Sequence, residues 1–336
     1  FSLSIVITSF AQNQPEIDSL IKVNKNLPEN QEKAKNIRRL HELTMFTNPE
    51  LARGYAKEAF EISQKIGDAK GIGTGYMQIG NYFINRNEDD SAAYYLNKAL
   101  EKYNETNSIR GQIFVNHSLA DIQRTRGNFD SAIAIVNRTI YLYENSDREQ
   151  TDLGNFNLIG AEYQTLGAIY MDKGSYRIAL QETLKAVRFF EEIDDQLRLA
   201  DALKQLGDIE YALKDYESSL KYCERAFQIY KDFDDKVYQT YAANTAGLAA
   251  AALGDLALAS DYQNQAIALA REMSVKSALS ASLKDLGRIY IEQENYSKAK
   301  TVLNEALQIA REINVKLDIT SALTELAVVD VVTNTP

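Results

Sequence analysis

Four groups of residues in this sequence have types and spacings that could do chemistry. Gly71-Ile-Gly73-Thr-Gly75 could cradle a phosphate on its backbone amides. His41-Glu42-Leu43 could present an imidazole for phosphoryl transfer, and Cys223, the lone cysteine, could be a thiol nucleophile. The acidic pairs Asp89-Asp90, Asp194-Asp195 and Asp234-Asp235 could hold a cation. None has the context its chemistry needs. A dinucleotide loop wants a third glycine where Tyr76 stands and a strand before it, and no Gly-Lys-Ser/Thr follows. A phospho-acceptor box wants its proline nearby, whereas Pro49 lies eight residues beyond His41 and no nucleotide-binding boxes follow. The acidic pairs lack the alternating spacing of a calcium loop and suit helix starts, where carboxylates meet the positive end of the dipole. Two His and one Cys cannot make a Cys/His zinc site or an internal disulfide. The reading is a chain that is not an enzyme and carries no cofactor or metal.

The elements that position these residues follow from composition. The chain has 336 residues, 45% hydrophobic and 25% charged, and its 37 basic against 47 acidic residues give a net charge of −10. That balance argues against a general nucleic-acid-binding role, which needs a basic surface. The four prolines are Pro15, Pro28, Pro49 and Pro336, so residues 50–335 contain none. Proline costs roughly 3 kcal/mol inside a helix. A proline-free stretch rich in Ala, Leu, Glu, Lys and Gln, without alternating β-branched runs, predicts an all-α chain.

A pattern recurs along it: Leu or a similar residue, then Gly or Ala, an aromatic or long residue three on, Ala twelve on and Ala again seven later. Ile79-Gly80, Phe83, Ala92, Leu96 and Ala99 form one copy. Leu166-Gly167, Tyr170, Ala179 and Ala186 form another, and Leu206-Gly207, Ser219, Cys223 and Ala226 a third. The small residues fall at 80, 120, 167, 207, 247 and 287, in steps of 40, 47, 40, 40 and 40. Small residues on two helices let them approach at the short end of the usual 8–10 Å, and the flanking Leu and aromatic positions make an apolar stripe. Cys223 falls in such a packing slot, and Gly71 and Gly111 take equivalent places at the start of first helices. Polar turns such as Lys173-Gly174-Ser175 and Leu253-Gly254-Asp255 supply a stop and a cap, with Gly expected at helix ends and Asp, Asn or Ser at the next N-cap.

These residues resemble the tetratricopeptide repeat, in a 40-residue form similar to the longer-helix variants of bacterial regulators. The closing proline and the early Trp slot of that family are unused here. The resemblance implies a right-handed α-solenoid of antiparallel helix pairs, covering residues 34–330 as about seven pairs and one unpaired last helix. It implies a protein- or peptide-binding scaffold, and first helices that line a concave groove. Inward positions lie three residues before the Gly slot and one and four after it. They collect Met77, Asn81 and Ile84, then His117, Asp121 and Arg124, then Gln164 and Met171. Further along they collect Lys204, Asp208 and Tyr211, then Asn244 and Leu248, and finally Lys284, Arg288 and Ile291. Lys204, Lys284 and Arg288 are expected to read acidic groups on a ligand, unless they only balance the neighbouring Asp201 and Asp208. The set departs from the family's carboxylate clamp, because Asp208 stands where that clamp has Asn.

Outside the repeats, residues 1–11 are apolar and change abruptly at Gln12, with Ser9 and Ala11 placed as small residues before a signal peptidase cut. The expectation is the tail of a secretory signal, whose basic start is not in the sequence; the alternative is an apolar helix packed on the first repeat. Eleven residues cannot span a bilayer. Residues 12–33 read as a lead-in and 331–336 as a truncated tail. The extra seven residues near Asn145–Asn155 read as a longer junction. The last helix, Lys316–Asp330, presents Leu317, Ile319, Leu323, Leu326, Val328 and Val329 with no second helix to cover them, which predicts self-association. Together these features resemble the exported, periplasmic sensory region of a bacterial signalling protein; the competing readings are a cytoplasmic peptide-pheromone receptor or an assembly scaffold.

Overall fold

In the computed structural model, the backbone is described for residues 3–45, 47–147 and 159–334, and side chains for 14–45, 47–147 and 159–333. Every regular element among them is an α-helix, so the all-α expectation holds. The chain forms two compact units that meet in sequence at Lys173 and Gly174. The first carries α1 (Leu3–Asn24), α2 (Gln31–Thr44), α3 (Pro49–Ile66), α4 (Ala69–Ile84), α5 (Asp89–Glu105), α6 (Ile109–Thr125), α7 (Phe129–Glu144) and α8 (Ile159–Asp172). The second carries α9 (Tyr176–Glu192), α10 (Gln196–Leu213), α11 (Tyr216–Asp232), α12 (Lys236–Ala252), α13 (Leu256–Glu272), α14 (Lys276–Glu292), α15 (Tyr296–Glu312) and α16 (Lys316–Asn334). The junction expected near Asn145–Asn155 lies mostly outside the described residues, beyond the Asn145 cap of α7. Ser9 and Ala11 fall on the backbone of α1, and their side chains are likewise outside.

Close approach within helix pairs explains the small-residue slots. A Cβ on Gly207 would sit 2.2 Å from Cys223 Sγ and 3.3 Å from the Ser219 carbonyl oxygen. One on Gly80 would meet Leu96 at 2.8 Å, and one on Gly287 would meet Leu303 at 2.5 Å. The facing slots on the second helices, including Ala92, Ala99, Ala179, Ala186, Ala259, Ala266, Ala299 and Ala306, are fully buried. Within each pair the helices therefore lock along their small faces. First helices also touch the next first helix along the chain: α4 with α6 and α6 with α8 in one unit, α10 with α12, α12 with α14 and α14 with α16 in the other.

The residues first considered for chemistry take structural places. Gly71, Gly73 and Gly75 are buried in the first turns of α4, where a Cβ on Gly75 would strike Phe60 at 2.3 Å. His41 Nδ1 lies 3.0 Å from the Ala52 carbonyl oxygen of α3. Cys223 is buried, and burial pushes its thiol up to about 12, far from a reactive thiolate. Asp195 and Asp235 are N-caps, accepting the amides of Arg198 and Tyr238. Asp90 of α5 instead meets Arg126 Nη2 at 2.6 Å.

The turns differ from the expectation of glycine at helix ends. Gly67, Gly127, Gly174 and Gly254 take left-handed backbone there, but so do Asn87, Asn107, Asp194, Lys214, Asp234, Ser274, Glu294 and Asn314. The turn closes by local backbone hydrogen bonds whatever the residue: Asp235 N donates to Tyr230 O at 2.8 Å, and Asn295 N to Tyr290 O at 2.8 Å. A non-glycine side chain accepts the strain, about 1–2 kcal/mol, because that geometry is imposed from both sides.

The strip on α16 is narrower than the sequence suggested. Leu326 and Val329 are buried against Leu303 and Leu307 of α15, and Ile319 packs there too. Leu317, Leu323 and Val328 stay exposed. Among the described residues no helix is long and apolar enough to cross a membrane.

Candidate binding groove

In the first unit, the positions of α4, α6 and α8 expected to face inward carry Asn81, His117, Asp121, Arg124 and Gln164. Their charges close on one another. Arg124 Nη2 donates to Asp121 Oδ1 at 2.8 Å, one helical turn away, while Nη1 reaches Asp172 Oδ2 of α8 at 3.1 Å. His117 Nδ1 lies 3.3 Å from Oε1 of Glu162 on α8. The Glu162 side chain is only 2% exposed, and its Oε2 has no hydrogen-bond partner. The hydrogen bond to Glu162 holds the His117 imidazolium above its ordinary pKa, against the burial that favours the neutral ring. Asn81 and Gln164 are half-buried on the same row. Neither Glu162 nor Asp172 stands out in the repeat pattern, and the one signal is a carboxylate inside the otherwise apolar start of α8.

In the second unit, Lys204 Nζ meets Asp208 Oδ2 at 2.5 Å across one turn of α10, and Thr245 of α12 donates to Asp208 Oδ1 at 3.0 Å. Asn244 Nδ2 reaches Gln263 Oε1 at 3.0 Å and Asp285 Oδ2 at 3.2 Å, tying α12 to both α13 and α14. Lys284 Nζ lies 3.4 Å from Asp285 Oδ1, and Arg288 Nε lies 3.3 Å from Oε1 of Glu325 on α16. Lys204, Lys284 and Arg288, the side chains expected to read a ligand's acidic groups, are thus paired within this chain. Each already faces a carboxylate of this chain. Asp201 is not one of these, since it accepts the Tyr230 hydroxyl at 2.6 Å.

Beside these pairs the row opens into a hollow of about 130 Å³. Tyr211, Leu248, Ala251, Ala252 and Ile289 supply its apolar wall, and Asp285, Arg288 and Glu292 its polar one. Burial raises the Tyr211 hydroxyl above its ordinary pKa, so the ring is neutral, and it packs on Tyr216 at 5.3 Å between centroids. Tyr211, Leu248 and Arg288 were legible as inward positions; Asp285 and Glu292, which sit beside them, were not. Among the described residues no group of three His, Cys, Asp or Glu side chains could hold a metal.

Residues 158–232, 198–272 and 239–312 each match the family model described as "Tetratricopeptide repeat". Residues 158–312 are thus tetratricopeptide repeats, and the all-α helix pairs of the chain have that family's α-solenoid fold. Similar solved structures include a signal-transduction ATPase with a tetratricopeptide-repeat sensor from Pyrococcus horikoshii, at 17% identity and a TM-score of 0.67. The match covers 98% of this chain, which spans 50% of that protein's length. The apo quorum sensor NprR from B. thuringiensis matches at 16% identity and a TM-score of 0.68, over 91% of this chain and 84% of NprR. A Rap protein complexed with Competence and Sporulation Factor matches at 15% identity and a TM-score of 0.61, over 97% and 95%. At these identities the likeness is one of fold. No curated protein matches the sequence. A tetratricopeptide-repeat chain of this kind is a protein-binding scaffold.

Proposed function

We propose that this chain is the non-catalytic sensory region of an exported bacterial signalling protein, and that it binds an extended peptide along its first helices. The observation that carries the reading is the hollow on α10, α12 and α14, where an apolar floor meets satisfied polar side chains from successive repeats. A ligand crossing several repeats draws small contributions from each, which suits peptide recognition. The apolar run before Gln12, with Ser9 and Ala11 ahead of it, supports export. Cytoplasmic peptide reception is the second reading, favoured by the likeness in fold to NprR and to the Rap protein bound to its factor.

Panning a displayed library of random peptides against the chain tests binding. Peptides enriched on the parent should be lost on Leu248→Arg, which fills the hollow; undiminished recovery by that variant removes the groove as the site. Mass spectrometry of the protein from its own cells separates the two readings, since a mature chain starting at Gln12 fits export and an uncleaved one fits the cytoplasm. The exposed Leu317, Leu323 and Val328 support self-association through α16. Light scattering should give a dimer that Leu323→Glu returns to monomer, and a parent that is monomeric at tens of micromolar ends that idea.

A further inference from the structure

A basic ligand group, rather than an acidic one, suits the hollow in the second unit. The cations in and beside it are already engaged. Arg288 is held by Glu325, and Lys284 leans on Asp285. Its carboxylates are in excess: Asp285 and Glu292 line it against Arg288 alone, which leaves one uncompensated negative charge in a chain of net charge −10. Asp285 is the built part of the site. Its side chain is 6% exposed, yet it lines the hollow, and the Asn244 amide fixes one carboxylate oxygen at 3.2 Å. A carboxylate has lone pairs for about four hydrogen bonds, so the two groups beside Asp285 leave capacity for a third. Glu292 stands exposed on the rim, one helical turn beyond Arg288.

The rest of the wall is apolar. Tyr211, Leu248 and Ile289 would cover a hydrocarbon stem but offer nothing to a short polar side chain. The Tyr211 ring also presents a π-face, which attracts a cation. Accordingly, we infer that the hollow holds the side chain of a lysine or arginine on the bound peptide, its stem on Tyr211, Leu248 and Ile289 and its cation between Asp285 and Glu292. The inference rests on the peptide-binding reading above and sharpens it from a peptide to a basic one.

Small amides provide the test, with the full chain as receptor. Nα-acetyl-lysine amide and Nα-acetyl-arginine amide are titrated while the methyl resonances of Leu248 and Ile289 are followed. Nα-acetyl-norleucine amide, with the same stem and no charge, and Nα-acetyl-glutamate amide are the controls. The two basic amides should shift both methyls saturably and the controls should not. Glu292→Gln, at an exposed position, should weaken the basic amides by about fivefold, the worth of one solvent-accessible charge pair. Added salt should weaken them further. Norleucine amide binding as tightly as lysine amide would overturn the inference while leaving an apolar peptide groove intact. Silence from all four amides also overturns it. Displayed peptides lost on Leu248→Arg but not enriched in lysine or arginine would sink the basic preference and spare the peptide-binding reading.

Discussion

The two rows of inward residues use the same slots of the same repeat and end differently. On α6 and α8 the polar side chains consume one another: Arg124 spans Asp121 and Asp172, and His117 covers a carboxylate that is out of water. On α10, α12 and α14 the ion pairs stand to one side and leave an open pocket with an apolar floor. The residues responsible are small. Ala251 and Ala252 of α12 line the hollow at places where longer side chains would close it. Repeat geometry therefore sets where an inward side chain stands, and local residue size decides whether the groove there is filled or open. Charge alone does not reveal the difference, because both rows mix acids and bases.

The largest effect expected in breaking this comparison is at Gly207, which sets how closely α10 approaches α11 and so where the row of the second unit stands. Its added Cβ alone would lie 2.2 Å from Cys223 Sγ. Gly207→Leu should cost about 3 kcal/mol, the upper part of the range for overpacking a tight core site. Because repeats depend on their nearest neighbours, hydrogen exchange should rise most in α10 to α12. Gly54→Leu is the control: nothing lies within 4 Å of a Cβ there, so that change should be neutral or mildly stabilising. Pairing Gly207→Ala with Cys223→Ala should recover most of the loss from Gly207→Ala alone. Equal melting temperatures for the parent and Gly207→Leu would undo the packing account of the repeat.

How far the sequence reveals the molecule follows from the same distinction. Slots that obey a period are legible. The small residues at 80, 207 and 287 mark close helix contacts because sterics allow nothing else there, and Cys223 reads as buried for the same reason. The left-handed turns are less legible: Lys214 and Glu294 have no intrinsic preference for that backbone and take it because the packed helices on either side impose it. In the groove, Lys204 and Asp208 are four residues apart on one helix, so their pairing can be seen in the sequence. Arg288 with Glu325, His117 with Glu162 and Asn244 with Asp285 join different helices, at separations that depend on how neighbouring repeats stack. For that reason the carboxylates that face Lys284 and Arg288 could not be read from the sequence.

A smaller effect sharpens the comparison through pH. Glu162 is buried with one oxygen unpartnered, and the imidazole of His117 is the cation beside the other. The remaining charges facing that imidazole are Asp121 and Arg124 of its own helix, which act in opposite directions. Its folded pKa lies above the ordinary value near 6.5. A raised histidine pKa contributes stability that is complete below the unfolded value and disappears as pH rises through the folded one. The first unit should therefore lose stability to urea as pH rises above about 6.5. Removing one partner of a buried pair costs about 3–5 kcal/mol, but this imidazole is 46% exposed, so His117→Ala should cost about 2 kcal/mol at pH 6. As pH rises the variant should approach the parent. Glu162→Gln, which takes the charge out of the interior, should flatten the same pH dependence and match or exceed the parent at high pH. A Lys204→Ala variant in the second unit leaves the His117–Glu162 pair untouched and should keep the parent's slope. Parallel pH curves for His117→Ala and the parent would show that the pair is a bystander, and that the closed row in the first unit is held by Arg124 alone.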